Sequence, residues 1–337
     1  MAVTIRDVSK YCNLSVSTVS KALNHYPDIS EKTRKRILEC AREIGYYPNA
    51  IARALKTNRT YNIGVILDDE MHDSLMHTYF ISILNGFRSE AEKYGYDITL
   101  INHHIAEQKM TYLDHCHYRN VDGICLVCVD FHSPEILELV QSDLPLVSID
   151  HHFPGKECIM SDNKMGVTDL VDYIVDMGHR RIAYIYGTPS AVTDIKKAAF
   201  FEAIRQRGVD IPAEYILSSH YHSPYHASED TKRLLSLETP PTVIMMVDDY
   251  SALGGIDTIG QLGLKIPDDI SITGYDGISM IQKIRPRLTT MKQDGNEIGR
   301  QAASRLVSRI LSPLSAAKSP GVVPSQLIEG ETVRRIS

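Results

Sequence analysis

The sequence predicts an all-α head followed by an α/β body in two doubly wound lobes, and three observations carry that prediction. Residues Thr4 to Asn24, TIRDVSKYCNLSVSTVSKALN, read as two short helices joined by a tight turn. From Asn62 onward, short apolar strands alternate with amphipathic helices. Charge is split between the two parts. Residues 1–60 hold 11 Lys and Arg against 5 Asp and Glu, a net +6 in a chain whose total is −6, so the remainder is strongly acidic.

In the head, Thr4-Ile-Arg-Asp7 has the spacing of a capping box, and Ile5, Val8 and Cys12 form the inward face of the helix it opens. Asn13-Leu14 supplies the turn, since Asn tolerates a left-handed backbone, and Ser15 is placed to cap the next helix through its hydroxyl. Val19, Ala22 and Leu23 line one side of that second helix. Its other side carries Ser17, Thr18, Ser20, Lys21 and Asn24, short hydrogen-bonding groups and one cation, which suits a helix lying in a DNA major groove. The competing account is a small helical cap with a polar solvent face. A third helix is expected from Ser30 through Ile37, Leu38, Ala41 and Ile44, ending at Gly45 with Pro48 beyond. The segment from Asn49 to Lys56 is rich in helix formers but only about two turns long. Helices shorter than about 12–15 residues are marginal alone in water, so it should form only when held by something else.

These residues resemble the lactose/galactose repressor family of bacterial transcription regulators over the whole chain. The most specific matches are Val3–Val8, Val16–Asn24 and Gly45–Leu55. The resemblance implies that the second helix reads the major groove with Val16, Ser17 and Lys21 as specificity positions. It further implies that Asn49–Lys56 is a hinge helix and that Leu55 is a wedge entering the minor groove, where unstacking a base step costs a few kcal/mol. The DNA-facing set is then Thr4, Val16, Ser17, Thr18, Ser20, Lys21, Asn24, Asn49, Ala52, Arg53 and Leu55. Most members have Gly where this chain has Asn13, and Asn can adopt the same backbone.

The basic head explains how an acidic chain can bind nucleic acid, because binding depends on a local field rather than on the sum of charges. With 337 residues there is room for a small head and two lobes of about 100–150 residues each. No apolar run approaches the roughly 18 residues of a membrane span, and Met1-Ala-Val-Thr leads straight into the first helix, so a cytoplasmic location is expected. The expected division is a helix-turn-helix domain at 1–47, a hinge helix and linker at 48–60, and an effector-binding and dimerisation domain at 61–337.

In the body, strands are expected at Ile63–Leu67, Ile98–Ile101, Gly123–Val129, Leu146–Ile149, Ile182–Tyr186, Val243–Val247 and Ile270–Tyr275. Helices are expected at Tyr79–Tyr94, Glu107–Arg119, Pro134–Gln141, Met165–Met177, Lys196–Arg207, Thr231–Leu237, Ser251–Leu262 and Glu297–Ile310. Continuous apolar strands flanked by helices imply parallel sheets covered on both faces, and this many strands suggests two lobes. The resemblance implies the periplasmic-binding-protein type, with a ligand cleft between the lobes.

Ligands of open parallel sheets bind beyond the carboxyl ends of strands. There the sequence places Asp68, Asp69 and the run His77–Phe80, then Thr193, Asp194 and Lys196, then Asp248, Asp249 and Asp276. Carboxylates that accept hydroxyl hydrogen bonds, with an aromatic ring to pack on an apolar sugar face, suit a carbohydrate. A competing reading has Asp249 and Asp276 simply capping the helices that follow. The resemblance carries ligand contacts onto Asp249, Asp276 and either Tyr79 or Phe80. It also places a clamping cation at Lys196, where the family has arginine, and lysine lacks the planar two-pronged donor. The run Asp194–Phe200 looks like the β-galactoside-responsive branch. The effector set is therefore Asp69, Tyr79, Phe80, Asp194, Lys196, Asp249 and Asp276, with a small carbohydrate such as a galactoside as effector. The alternatives are a nucleobase or other non-sugar effector, or a sugar or nucleoside hydrolase cleft.

Other motifs argue against different chemistry. Cys125 and Cys128 fall in a strand, where residues three apart point to opposite faces, so a shared metal or disulfide is not expected. His115 and His117, with His103, His104, His151 and His152, read as surface histidines rather than metal ligands. There is no nucleophile elbow, Walker loop or zinc-protease motif, and neither catalysis nor a cofactor is expected. One head covers only a half-site, so a homodimer on a near-palindromic operator follows, with no heptad run near the final residues to build a tetramer.

Overall fold

The computed structural model describes residues 3–24, 26–47, 54, 59–67, 77–105, 107–313, 317 and 319–336. The chain forms two units, Met1–Tyr61 and Asn62–Ser337. Among the described residues, no helix is long and apolar enough to cross a membrane.

The first unit contains α1 (Ile5–Cys12), α2 (Val16–Leu23) and α3 (Glu31–Glu43). The Asp7 carboxylate accepts from the Thr4 N–H at 2.9 Å and from its hydroxyl at 2.7 Å, which holds the start of α1. Asn13 then turns the chain with φ 54° and ψ 49°, the left-handed conformation expected of it. Ser15 caps α2 by accepting the Thr18 N–H at 3.0 Å, and Ser30 caps α3 through the Thr33 N–H at 3.2 Å. Val8, Cys12, Val19, Ala22, Ile37 and Ala41 close a core of their own, while Leu38 is only half-buried. Arg36 ties α3 to α1 by donating to the Cys12 carbonyl at 3.0 Å. These side chains are few, but every helix contributes to the cluster.

The second unit runs β1 (Asn62–Leu67), α4 (Thr78–Lys93), β2 (Asp97–Leu100), β3 (His104–Ile105), β4 (Gln108–Lys109), α5 (Tyr112–Arg119), β5 (Gly123–Val127), α6 (Pro134–Gln141), β6 (Leu146–Ile149) and β7 (Glu157–Ser161). It continues with α7 (Asn163–Asp176), β8 (Ile182–Tyr186), α8 (Ala191–Gln206), β9 (Ile216–Ser218), α9 (Pro224–Leu235), β10 (Val243–Met245), α10 (Asp249–Gln261) and β11 (Ser271–Asp276). Last come β12 (Thr289–Lys292), α11 (Gly295–Leu311), β13 (Gly321–Val323) and β14 (Gln326–Ile328).

Two six-stranded sheets result, ordered β13-β7-β6-β5-β1-β2 and β14-β12-β11-β10-β8-β9. All pairings within them are parallel except β12 with β14. The two-lobed, doubly wound body expected from strand and helix alternation is therefore present. In the second sheet, α7 and α8 cover one face through Leu170, Ile174 and Phe200. Its other face packs on α9 and α10 through Leu234, Ala252 and Ile259. In the first sheet, α5 and α6 pack through Tyr112, Cys116, Ile136 and Leu139.

Three departures from the sequence reading have local causes. The helix expected from Glu107 begins only at Tyr112, because Thr111 caps it by accepting the Asp114 N–H. The preceding Gln108–Lys109 pairs with His104–Ile105 as a small hairpin. The strand expected to reach Val129 stops at Val127, since Cys128 takes a left-handed backbone with φ 49°. His115 is buried rather than at the surface, its Nδ1 2.7 Å from the Asn102 carbonyl and its Nε2 accepting from Arg119. Strands β7, β9, β12, β13 and β14 were not anticipated. They are short, and all five lie at or next to a sheet edge.

The chain passes between lobes three times, after β7, after β12 and after β13. The passages are bonded to one another: the Asp162 N–H donates to the Val323 carbonyl at 2.8 Å, and the Ser161 and Ser325 hydroxyls lie 3.2 Å apart. Within the first lobe, α4 and α11 cross at glycines. A Cβ on Gly86 would lie 2.0 Å from the Asn296 carbonyl oxygen, and one on Gly299 would lie 1.9 Å from that of Ile83. Alanine is intrinsically favoured over glycine in a helix by about 1 kcal/mol. Gly86→Ala should nevertheless lower the thermal midpoint, by about 1–3 kcal/mol of overpacking. An unchanged or raised midpoint would refute the close crossing.

Candidate functional site

The head surface is built on α2. Val16 is 41% exposed, and Ser17 beside it is exposed at the first turn. Several other expected DNA-facing groups are already engaged. Thr4 is held by Asp7, and the Thr18 hydroxyl lies 2.8 Å from that of Ser15. Asn24 donates back to the Ser20 carbonyl at 2.7 Å, and half-buried Ser20 presents little of its side chain. Lys21 forms an exposed ion pair with Asp28, which raises the lysine and lowers the carboxyl from their ordinary values through the hydrogen bond between them. Exposed pairs of this kind contribute little, because solvent screens them, so Lys21 can exchange Asp28 for a phosphate at small cost. Asn49, Ala52, Arg53 and Leu55 lie outside the described residues.

The second site lies where the carboxyl ends of the two sheets meet. Asp276 ends β11 and Asp150 follows β6, with φ values of 107° and 61°. Neither is glycine, and positive φ of this kind costs of order 1–3 kcal/mol, sustained only where the surroundings over-determine it. Those surroundings are visible. The Asp276 carboxylate accepts from Gln293 Nε2 at 2.7 Å, at the passage between β12 and α11. Asp150 accepts the Ser161 N–H at 2.9 Å and the Tyr79 hydroxyl at 3.3 Å.

Lys196, on α8, is 5% exposed, and its Nζ sits 3.6 Å from the centre of the Tyr275 ring. Burial pulls the lysine below its usual range, opposed by the negative charges of Asp276 and Asp150. Burial likewise pushes Asp150 up, and it takes Asp276 up to about 7 against the attraction of Lys196. Two carboxyls and one ammonium are thus buried in the same poorly solvated region, each shifted mainly by desolvation. Tyr79 is buried, with its phenol pushed well above its usual range by desolvation and by Asp150. Phe80 is half-buried, its ring centre 5.4 Å from that of Tyr79.

The sequence-derived effector set divides on this geometry. Tyr79, Phe80, Lys196 and Asp276 are brought to the junction. Asp194 is not: it is exposed on α8, and its neighbour Thr193 points inward, donating to the Thr188 carbonyl and lying 2.9 Å from the Tyr221 hydroxyl. Asp249 is fully buried in a structural role, accepting from the Ile278 N–H at 2.8 Å and the Thr290 hydroxyl at 2.6 Å. The capping expected of it falls to Asp248, which accepts the Ser251 N–H. Asp69 lies outside the described residues.

Asp150, Tyr221, His222, Tyr275 and Gln293 complete the junction without having been anticipated. Asp150 was reachable by the same rule that found Asp276, since it directly follows the strand Leu146–Ile149. His222 and Tyr221 sit on a loop that carries no periodic signal. Removal of the buried Asp249 carboxylate leaves two donors unpaired, so Asp249→Ala should cost about 1–3 kcal/mol or more in thermal unfolding. A wild-type melting curve would show that these bonds do not hold β11 and β12 to α10.

Comparison with known proteins agrees with both halves of this description. Residues 4–49 match the model of bacterial regulatory proteins of the lacI family, and residues 171–333 match that of a periplasmic binding protein-like domain. The probable HTH-type transcriptional repressor ExuR of Bacillus subtilis is 31% identical over 341 residues, 99% of each chain. The HTH-type transcriptional repressor PurR of Pasteurella multocida is 31% identical over 313 residues, 91% of this chain and 92% of that one. A crystal structure of the lac repressor dimer bound to operator and the anti-inducer ONPF has the same fold, with a TM-score of 0.82 and 24% identity over 99% of this chain and 100% of that one. The chain therefore belongs to the lacI family of bacterial regulatory proteins, and is a DNA-binding transcriptional repressor rather than an enzyme.

Proposed function

We propose that the junction between the two lobes binds a small polyhydroxylated effector, a carbohydrate, and that its occupancy sets the affinity of a cytoplasmic homodimer for a near-palindromic operator. The observation that carries the effector class is the group formed by Asp150, Asp276 and Lys196 beside Tyr79, Phe80 and Tyr275. Carboxylates accept pairs of hydroxyl hydrogens, lysine donates to ring or hydroxyl oxygens, and flat rings cover the apolar face of a sugar. Lys196 in place of a planar guanidinium favours single-point contact over a bidentate clamp. A nucleobase is the second reading, favoured by the rings of His77, His222 and Tyr250, with His77 4.9 Å from Tyr250 centre to centre.

In the domain scheme proposed here, residues 1–47 read DNA, 48–60 form the hinge and 61–337 bind effector and the second subunit. Leu55 acts as the minor-groove wedge. Coupling between effector and operator is typically about 1–3 kcal/mol in such systems. A thermal-shift screen over neutral sugars, sugar acids and nucleobases tests the effector class, because a ligand at 100 times its Kd adds about 2.7 kcal/mol of stability. Stabilisation by nucleobases alone would replace the carbohydrate reading.

With the effector in hand, Asp276→Ala should weaken its binding by about 1–3 kcal/mol or more in calorimetry, because ligand hydroxyls lose their acceptor. Unchanged affinity would remove Asp276 from the effector contacts. On the head, substitutions at Ser17 and Lys21 should change which operator variant is preferred, each lost base contact costing about 1–3 kcal/mol. A uniform loss across all operator variants, with a shallower salt dependence, would reassign both to phosphate contacts.

A further inference from the structure

We propose that the lobe junction also holds a divalent transition-metal ion of the zinc class, on His77, His222 and Asp276. One ligand atom from each of the three lies within 4.8 Å of the others, and His77 Nε2 is 3.7 Å from Asp276 Oδ2. His77 leads into α4 of the first lobe, whereas His222 and Asp276 belong to the second. A bound ion would therefore tie one lobe to the other.

Two independent features support a ligand here. His77 is 4% exposed, and neither of its ring nitrogens has a hydrogen-bond partner among the described residues. Buried polar groups are almost always satisfied, so an imidazole left this way needs an explanation. His222 is oriented from behind. Its backbone N–H donates to Asp248 Oδ2 at 2.7 Å, its Nδ1 lies 3.3 Å from the same oxygen, and its backbone is held at φ 57°. A carboxylate behind a ligating histidine is the usual outer arrangement of metal sites. The His77 and His222 rings are 3.7 Å apart centre to centre.

Two imidazoles and a carboxylate brought within reach of one another suit a cation better than a hydroxyl, which has one hydrogen to offer. The N2O donor set is that of many zinc sites, and borderline divalent ions prefer it over magnesium or calcium. Three protein ligands leave a coordination position open for water or for a hydroxyl of the organic effector. This inference does not depend on whether that effector is a carbohydrate or a nucleobase.

The test is titration of the full-length protein, stripped with EDTA and free of any organic ligand, with Co2+ followed by Zn2+. One equivalent of Co2+ should bind with visible d–d absorption and be displaced by Zn2+. His77→Gln and His222→Gln should each weaken binding by at least the about 10–100-fold typical of losing an outer partner. Melting curves of the variants in EDTA check that they fold, and protection of His77 and His222 from diethyl pyrocarbonate by Zn2+ gives a readout in the wild type alone. Failure of the wild type to take up stoichiometric Co2+ or Zn2+, or undiminished uptake by both variants, would overturn the site. Because no sugar or nucleobase is present, failure here leaves the effector reading intact, and failure of the effector screen leaves this result intact.

Discussion

Lys196, Asp150 and Asp276 are buried at the junction of the two lobes, and the charge of the lysine opposes the desolvation of both carboxyls. A single buried charge is expensive, whereas a lysine flanked by two carboxylates and laid on the Tyr275 ring is tolerable. The partners come from different places: Asp150 follows a strand of the first lobe, and Asp276 and Lys196 belong to the second. Desolvation raises both carboxyls, and the Lys196 charge opposes that rise in each.

Holding these groups requires backbone that sequence propensity disfavours. Asp150, His222 and Asp276 all have positive φ, and each is stabilised by bonds from a neighbouring segment. Gln293 and Ser161 supply two of those bonds from the stretches where the chain passes between lobes. The same residues thus position the site and connect the sheets. Asp248 and Asp249 divide the remaining work: the first caps α10 and pins His222, and the second fastens α10 to Ile278 and Thr290.

The head follows a different logic. Its core is small and uniformly apolar, and its polar residues are mostly engaged locally, by capping or by the Lys21–Asp28 pair. Local satisfaction keeps the fold intact without DNA, and each of these bonds is weak enough to exchange. The net charge of +6 over residues 1–60 supplies attraction to phosphate without any single contact having to be strong.

The sequence by itself determined the head almost completely, because caps, turn and inward faces in α1 to α3 are contiguous signals within a few residues. Thr4, Asn13, Ser15 and Ser30 occupy the conformations their chemistry favours. It also determined the alternation of buried strands and helices, and the placement of Asp276 at the carboxyl end of β11. Tertiary structure decided what required distant segments to meet. Edge strands such as β13 and β14 gain their pairing from neighbours more than 30 residues away, so their own composition says little. Which neighbours an aspartate at a strand end would meet was equally hidden. Asp249 and Asp276 look alike in sequence, and only the approach of Thr290 and Ile278 to one, and of Lys196 and Gln293 to the other, separates them. His77 and His222 are 145 positions apart in loops, and nothing local in either marks the other as its neighbour.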